Sequence, residues 1–343
     1  MTASNPITIV GGGLAGLALG IALRRQQVPV SILEAGSYPR HRVCGEFIAG
    51  ITQSEIRALG IDQCLADSLQ LNKSTWFFEG AQVYQKPLPR TAIGISRYRL
   101  DQRMAETFVD LGGTLECHQR VNAPRDESGW VAAQGRVKAD SDWIGLKIHC
   151  RDLKLSSDLE LHLGNQAYVG LSIVESGRVN ICGLFKQRST RAVPKPERII
   201  EYLKASNLTY LAEQIASGDP DDKSAVGVAG LSYAPTSFDQ VGQEIRLGDQ
   251  SGLIAPFTGN GMASALISAH LAVDPIGQYA RGKTSWESAC QTVNKALKQT
   301  FNTRRSIARH LQPWILQTGK QRMLARAAKS NLLPFKLLYQ LTH

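Results

Sequence analysis

The sequence predicts an α/β protein of two lobes: a Rossmann-like domain built from discontinuous segments, an inserted antiparallel β-sheet domain, and a run of C-terminal helices. Three observations carry this. The chain has 343 residues, more than the roughly 250–300 at which one hydrophobic core stops growing. Its first 34 residues read as strand, glycine turn, helix and strand. Between residues 143 and 185 the pattern shifts to short alternating or β-rich runs punctuated by Gly164-Asn165 and Ser176-Gly177.

The opening unit comes first. Ile7 to Val10 is an apolar β-rich run, Leu14 to Gln26 an apolar helix ending in Arg24-Arg25, and Val28 to Leu33 a second β-rich run closed by Glu34. Gly11-Gly12-Gly13-Leu14-Ala15-Gly16 between them is a G-x-G-x-x-G. Its first glycine makes the tight turn, its second lets phosphate approach the backbone, and its third lets helix pack on strand. A pyrophosphate sits on such a helix N-terminus, beside Leu14 and Ala15, and Glu34 stands where a ribose hydroxyl needs an acceptor.

Leu100, Met104, Phe108 and Leu111 then recur at helical spacing up to Gly112-Gly113, and Thr114 to Val121 and Trp130 to Ala133 read as strands. Ile144 to Ile148, Leu159 to Leu163, Tyr168 to Val174 and Arg178 to Leu184 suggest an antiparallel meander. Pro194 to Ser217 is helical, and Ala225 to Tyr233 and Ile245 to Leu247 add strands. The expected division is a discontinuous first domain at 1–70, 95–140 and 240–275, a β-sheet substrate domain at 71–94 and 141–239, and a basic helical segment at 276–343.

The net charge of +10 is uneven. Residues 281–343 hold 12 Lys and Arg against one acid, Glu287, whereas the first 280 net −1. This segment reads as a solvated helix face, with peripheral contact to anionic lipid as the rival reading. Nucleic acid is not an expected partner, because no recognition module accompanies the charge. The six cysteines show no C-x-x-C pair, which points to reduced thiols, a cytoplasmic setting and no structural zinc site. His149, Cys150 and His162 lack metal-ligand spacing and read as core or surface residues. No metal is expected.

A second glycine-rich stretch runs from Arg246 to Met262. Asp249 follows a strand and can accept a sugar-alcohol hydroxyl, and Gly259 to Met262 offer backbone N–H groups at a helix N-terminus. One chain thus carries both ends of a long cofactor site.

The N-terminal G-x-G-x-x-G with Glu34, the Ser96-Arg97-Tyr98-Arg99-Leu100-Asp101 segment, and Gly248-Asp249 followed by Pro256-x-x-Gly259-x-Gly261 resemble the FAD-dependent oxidoreductases that include p-hydroxybenzoate hydroxylase-type monooxygenases and geranylgeranyl reductases. The resemblance implies that Gly11, Gly13 and Gly16 cradle the FAD pyrophosphate, Glu34 the adenosine ribose, and Arg97 the phosphate or ribityl region. It implies Asp249 on the ribityl chain and Pro256, Gly259, Asn260, Gly261 and Met262 beside the isoalloxazine. Arg42-Val43-Cys44-Gly45-Glu46 resembles the R/K-x-C-G-[DE] loop of the reductase branch, which makes Arg42 a cofactor contact and Cys44 and Glu46 the catalytic candidates. The implied activity is hydroxylation of a hydrophobic or aromatic small molecule by reduced flavin and O2, with NAD(P)H as a possible electron donor. Geranylgeranyl reductase-like hydride transfer involving a lipid or isoprenoid is the alternative, and a weakly catalytic FAD-binding component of a membrane or complex is a third reading.

The departures bear on both activities. Ala133-Gln134-Gly135-Arg136 has Gln where the monooxygenases carry Asp before Gly, in a segment linked to FAD and NADPH. Tyr168-Val-Gly-Leu-Ser-Ile-Val174 lacks the Trp and Pro of the prenyl reductase strand.

Overall fold

The architecture follows from where the apolar residues can be buried. In the computed structural model, described over residues 4–121, 127–136, 140–188, 194–231, 244–252 and 259–342, the chain begins with β1 (Ile7–Val10), α1 (Leu14–Arg25) and β2 (Val30–Leu33). β3 (Phe47–Ile48) and α2 (Gln53–Leu59) lead to a long hairpin of β4 (Leu69–Phe78) and β5 (Ala81–Gly94). α3 (Arg97–Asp110), β6 (Thr114–Glu116) and β7 (Trp130–Ala132) follow. Next come β8 (Trp143–Arg151), β9 (Leu159–Gly164), β10 (Ala167–Val174), β11 (Arg178–Lys186), α4 (Lys195–Ala205), α5 (Thr209–Ser217) and β12 (Asp219–Ala229). β13 (Ile245–Arg246) precedes α6 (Gly261–Ala280), α7 (Trp286–Leu316), α8 (Thr318–Lys329) and α9 (Phe335–Thr342).

One sheet has the order β13-β7-β1-β2-β6 and is parallel throughout. Such a sheet needs cover on its faces, and the buried Leu17, Ile21, Ile32, Phe108, Leu266 and Ala269 bring α1, α3 and α6 onto it in one core. The second sheet has the order β12-β8-β11-β10-β9-β4-β5-β3. It is mixed rather than antiparallel, because β4 and β9 run parallel, with Trp76 opposite Leu161. The meander is limited to β9, β10 and β11; β8 adds to the far side of β11. That placement is invisible to alternation, which fixes a strand's faces but not its neighbours.

The second sheet has two different faces. Val169, Leu171, Ile181 and Phe185 pack against Tyr202, Leu203 and Leu211 of α4 and α5. On the opposite face Leu163, Tyr168 and Leu184 meet Ile315 and Leu316 at the end of α7. The start of α7 packs elsewhere, through Trp286, Val293, Leu297 and Phe301, in the core of the parallel sheet. At 31 residues this helix is about 46 Å long, and it braces the two sheets. Ser96, the N-cap of α3, also joins them: its backbone N–H and hydroxyl donate to Glu175, at 2.8 and 2.5 Å, at the end of β10.

Candidate active site

The glycine turn is built by close approach. Gly11 has φ +106°, and a Cβ there would stand 2.3 Å from the carbonyl oxygen of Ala133 on the neighbouring strand's exit. At Gly16 a Cβ would stand 2.0 Å from the Gly11 carbonyl oxygen. Gly13 differs: nothing lies within 4 Å of its Cβ position, and it caps α1 with no side chain on the exposed N–H groups. The first turn of α1 carries no acid, so its positive end is left for an external anion.

Glu34 ends β2 as the sequence predicts. Its buried carboxylate accepts from Gly12 N at 2.8 Å, Gly36 N at 2.8 Å and Arg40 at 2.6 Å. A carboxylate has about four lone-pair sites, so a hydroxyl acceptor position is left. Tyr38 donates to Gly12 O at 2.5 Å.

Asp101, fully buried, receives two arginines: Arg97 donates through Nε at 2.6 Å and Nη2 at 2.8 Å, and Arg42 through Nε at 3.0 Å. Arg97 loses hydration by burial, but the Asp101 carboxylate outweighs this and raises its pKa. Arg42 Nη2 is buried without a hydrogen-bond partner among the described residues, 3.9 Å from Glu34 Oε2. Asp249 is exposed to the cavity rather than packed. The surrounding protein raises its carboxyl pKa, against the pull of Arg97, Arg136 and Arg42.

These groups share one cavity of about 1220 Å³. It receives Gly11, Gly13, Leu14, Ala15, Glu34, Arg42, Cys44, Arg97, Asp249, Gly259, Gly261 and Met262. Gly16 and Asn260 stand behind the wall, and Pro256 lies outside the described residues. Asn260 caps α6, and its side-chain N–H donates to the carbonyl of Thr342 in α9. A Cβ on Gly261 would meet nothing, so a second helix start is open to the same space. Beyond it the cavity runs over the sheet face, past Gly170, Cys182, Leu161 and Trp76, to a wall of Leu311, Trp314, Met323, Phe335 and Leu338.

The two catalytic candidates part company here. Cys44 lines the cavity, and burial raises its thiol pKa against the pull of Arg97, so it is held as the thiol. Glu46 is fully buried and is not part of the lining. Its carboxylate meets His149 Nε2 at 2.5 Å, Lys147 Nζ at 3.4 Å and Arg97 N at 3.1 Å. Burial alone would raise its pKa; His149 and Lys147 reverse this and lower it. Lys147 Nζ also lies 3.1 Å from His41 Nδ1. His41, Glu46 and His149 are of metal-ligand type and lie within 4.8 Å, but Lys147 already supplies a positive charge among them.

The Cys44–Glu46 segment is held by a row of the second sheet. His149, Asn180 and Ser172 are register partners on β8, β11 and β10. Asn180 Nδ2 donates to Cys44 O at 3.0 Å, Ser172 Oγ donates to Gly45 O at 2.6 Å, and His149 holds the Glu46 carboxylate. Sequence reasoning read His149 as core or surface, quoted Asp101 in the Ser96–Asp101 segment without giving it a role, and passed over Lys147, Asn180, Ser172 and His41. Only Asp101 had a local signal, its i,i+4 spacing from Arg97 on a helix. The basic face of the C-terminal segment is exposed at Arg309, Arg322, Arg326, Lys329 and Lys336, and the apolar side of the same segment forms a cavity wall, whose partner was not visible in sequence.

A parallel sheet with a glycine turn, and a mixed sheet closing the same cavity, together make the two-domain fold of the FAD-dependent monooxygenases, and this chain has that fold. Residues 9–43 match the family model of NAD(P)-binding Rossmann-like domains. Among solved structures, HpxO of Klebsiella pneumoniae, complexed with FAD and uric acid, is similar with a TM-score of 0.75 at 13% identity, covering 98% of this chain and 95% of that one. PqsL of Pseudomonas aeruginosa, in complex with 2-aminobenzoylacetate, matches with a TM-score of 0.72 at 14% identity over 92% of this chain and 98% of that one. The menaquinone reductase of Mycobacterium tuberculosis is 24% identical over 167 residues, 48% of this chain; the match spans 40% of that relative's length. The conditioned medium factor receptor 1 of Dictyostelium discoideum is 22% identical over 97% of this chain and 71% of its own length. No described helix is long and apolar enough to cross a membrane.

Proposed function

We propose that this chain is an FAD-dependent oxidoreductase that hydroxylates a hydrophobic or aromatic small molecule with reduced flavin and O2. The observation that carries the reading is the continuity of one cavity from the α1 N-terminus, past the α6 N-terminus, onto an apolar sheet face. Its 1220 Å³ exceeds the roughly 300–1,000 Å³ of an ordinary ligand pocket, which suits an extended dinucleotide together with a substrate. The donor set fits FAD: the bare Gly13 and Gly261 backbones, the unpartnered Arg42 Nη2, the Glu34 acceptor and Asp249.

When bound, FAD would supply the electron transfer and oxygen activation, and the protein binding, orientation and electrostatics. Gly11, Gly13 and the α1 N–H groups would hold the pyrophosphate with Arg42, and Arg97 would add positive charge. Glu34 would take the ribose and Asp249 the ribityl chain. The open start of α6 at Gly261 and Met262 would favour negative charge on the bound cofactor. Cys44 lines the wall, and Glu46 sets the Arg42–Glu46 loop against the sheet. The apolar lining excludes water from the reacting region. His41, whose Nδ1 lies 3.1 Å from Lys147 Nζ, is part of the cavity lining.

Electron supply is the open branch of the proposal. Gln134 stands where the resemblance expects Asp, and its amide is committed, donating to Val121 O at 2.6 Å and accepting from Gln250 at 3.2 Å. The test is anaerobic bleaching of the reconstituted holoenzyme by NADPH or NADH, followed by 18O2 incorporation from a phenol panel. Rapid bleaching and labelled product are expected. Bleaching by dithionite alone would remove NAD(P)H as direct donor, and unlabelled turnover without O2 would replace hydroxylation by hydride transfer to a lipid or isoprenoid. That second reading is favoured by the menaquinone reductase likeness and is compatible with the apolar cavity wall. A hydrophobic small molecule is the partner either way, and the basic C-terminal segment suits an anionic membrane surface.

A further inference from the structure

The large apolar side chains that stand exposed among the described residues are Tyr98, Val109, Met323, Leu332, Leu337 and Leu341, so most of them fall in one stretch of α8 and α9. Met323 is 57% and Leu332 76% exposed, yet both border the cavity. The part of the cavity rim formed by these two residues is therefore apolar and faces water. α9 is apolar on two sides. Phe335, Leu338, Tyr339 and Thr342 line the cavity, whereas Leu337 and Leu341, one turn apart, face outward. A helix with apolar residues on both sides needs cover on both, and the described chain covers only the inner one. The same stretch of chain carries exposed basic groups: Arg326, Lys329, Lys336, and Arg322, which shares an exposed ion pair with Glu79. After Glu287 the sequence contains no Asp or Glu.

We propose that the outer side of α8 and α9 docks on an anionic lipid membrane and that the substrate is a lipid-dissolved molecule entering the cavity at this rim. Leu332, Leu337 and Leu341 enter the acyl boundary while the basic side chains lie among the headgroups. The mouth then opens toward the lipid phase, and an apolar substrate passes from bilayer to sheet face without crossing water. The substrate half of this inference rests on the flavoenzyme reading above; the docking half does not.

The test is co-flotation of the FAD-loaded protein with phosphatidylglycerol vesicles and, separately, phosphatidylcholine vesicles. Flotation with the first and release by added salt are expected. The variant Leu337→Asp/Leu341→Asp, which leaves the cavity lining untouched, should lose vesicle partition by at least about tenfold while keeping its Tm and its bound FAD. Flotation with neither vesicle, or undiminished flotation of the variant, overturns docking. A dimer in light scattering that the variant dissolves, with no vesicle binding, overturns it in favour of a second copy. For substrate entry, turnover of a long-chain alkylphenol carried in vesicles should fall in the variant while a water-soluble short-chain phenol keeps its rate. Equal rates for wild type and variant on the vesicle-borne phenol overturn lipid-phase entry. Failure of the flavin reading is separate, and shows as floated protein without flavin absorbance.

Discussion

Asp101 is one carboxylate between two guanidinium groups, and the positive excess this leaves faces the cavity. Removing its charge strands Arg42 and Arg97 at once. Asp101→Asn is expected to destabilise the fold by about 3–5 kcal/mol, the usual consequence of breaking a buried ion pair, readable in urea unfolding. Gly13 tests binding without folding: its Cβ position is open, so Gly13→Ala should leave Tm nearly unchanged and weaken FAD binding by an order of magnitude or more in a fluorescence titration. Equal losses of Tm and affinity would place the glycine in the fold instead. His41 gives the molecule a pH dependence. Burial pulls its pKa down to about 4, with Lys147 and His149 in the same direction and Glu46 and Asp221 opposing. A free imidazole titrates near ~6.5, so between these values the unfolded chain binds more protons and stability rises with pH. Stability is therefore lost as pH falls from ~6.5 through about 4, and His41→Gln should flatten that slope in urea midpoints measured across the window.

The helix start of α1 was legible because its function is local. Close approach at Gly11 and Gly16 and the open backbone at Gly13 all lie within one turn of chain, and G-x-G-x-x-G records them together. The α6 start at Gly259 to Met262 was legible for the same reason. The row His149, Asn180 and Ser172 was not, because its meaning depends on which strands are neighbours and on a loop more than 100 residues away in the chain. A lone His in a β-run carries no mark of the Glu46 it will meet. The same row logic explains the cavity floor: Gly170 lies between Leu161 and Cys182 in register, and a Cβ there meets only backbone oxygens at 3.9 and 4.0 Å. Gly170→Leu would fill the substrate end without touching the glycine turn. It is expected to lower kcat/KM for bulky substrates by tenfold or more while FAD occupancy is kept; loss of both together would mean that the sheet had moved.

At the scale of the whole molecule the sequence foretold two sheets and C-terminal helices, but not the brace. α7 looks like a basic amphipathic helix until its two ends are seen in different cores, Trp286 against Tyr279 of α6 and Ile315 beside β10 and β11. With that helix, the Ser96–Glu175 bond and the shared cavity, the lobes should unfold together. A single transition, coincident by tryptophan emission and far-UV circular dichroism, is expected for the holoenzyme, and separated transitions would show independent lobes. The strand order carries one more consequence. Reading along the chain, the strands alternate between the parallel sheet and the mixed sheet four times. Neither sheet corresponds to a contiguous stretch of gene, so no crossover can exchange one lobe for a homologue's without also exchanging parts of the other. A single crossover inside the chain divides the cavity lining between two parents, so new substrate ranges on this scaffold are reached by point changes on the sheet face and in α7 to α9.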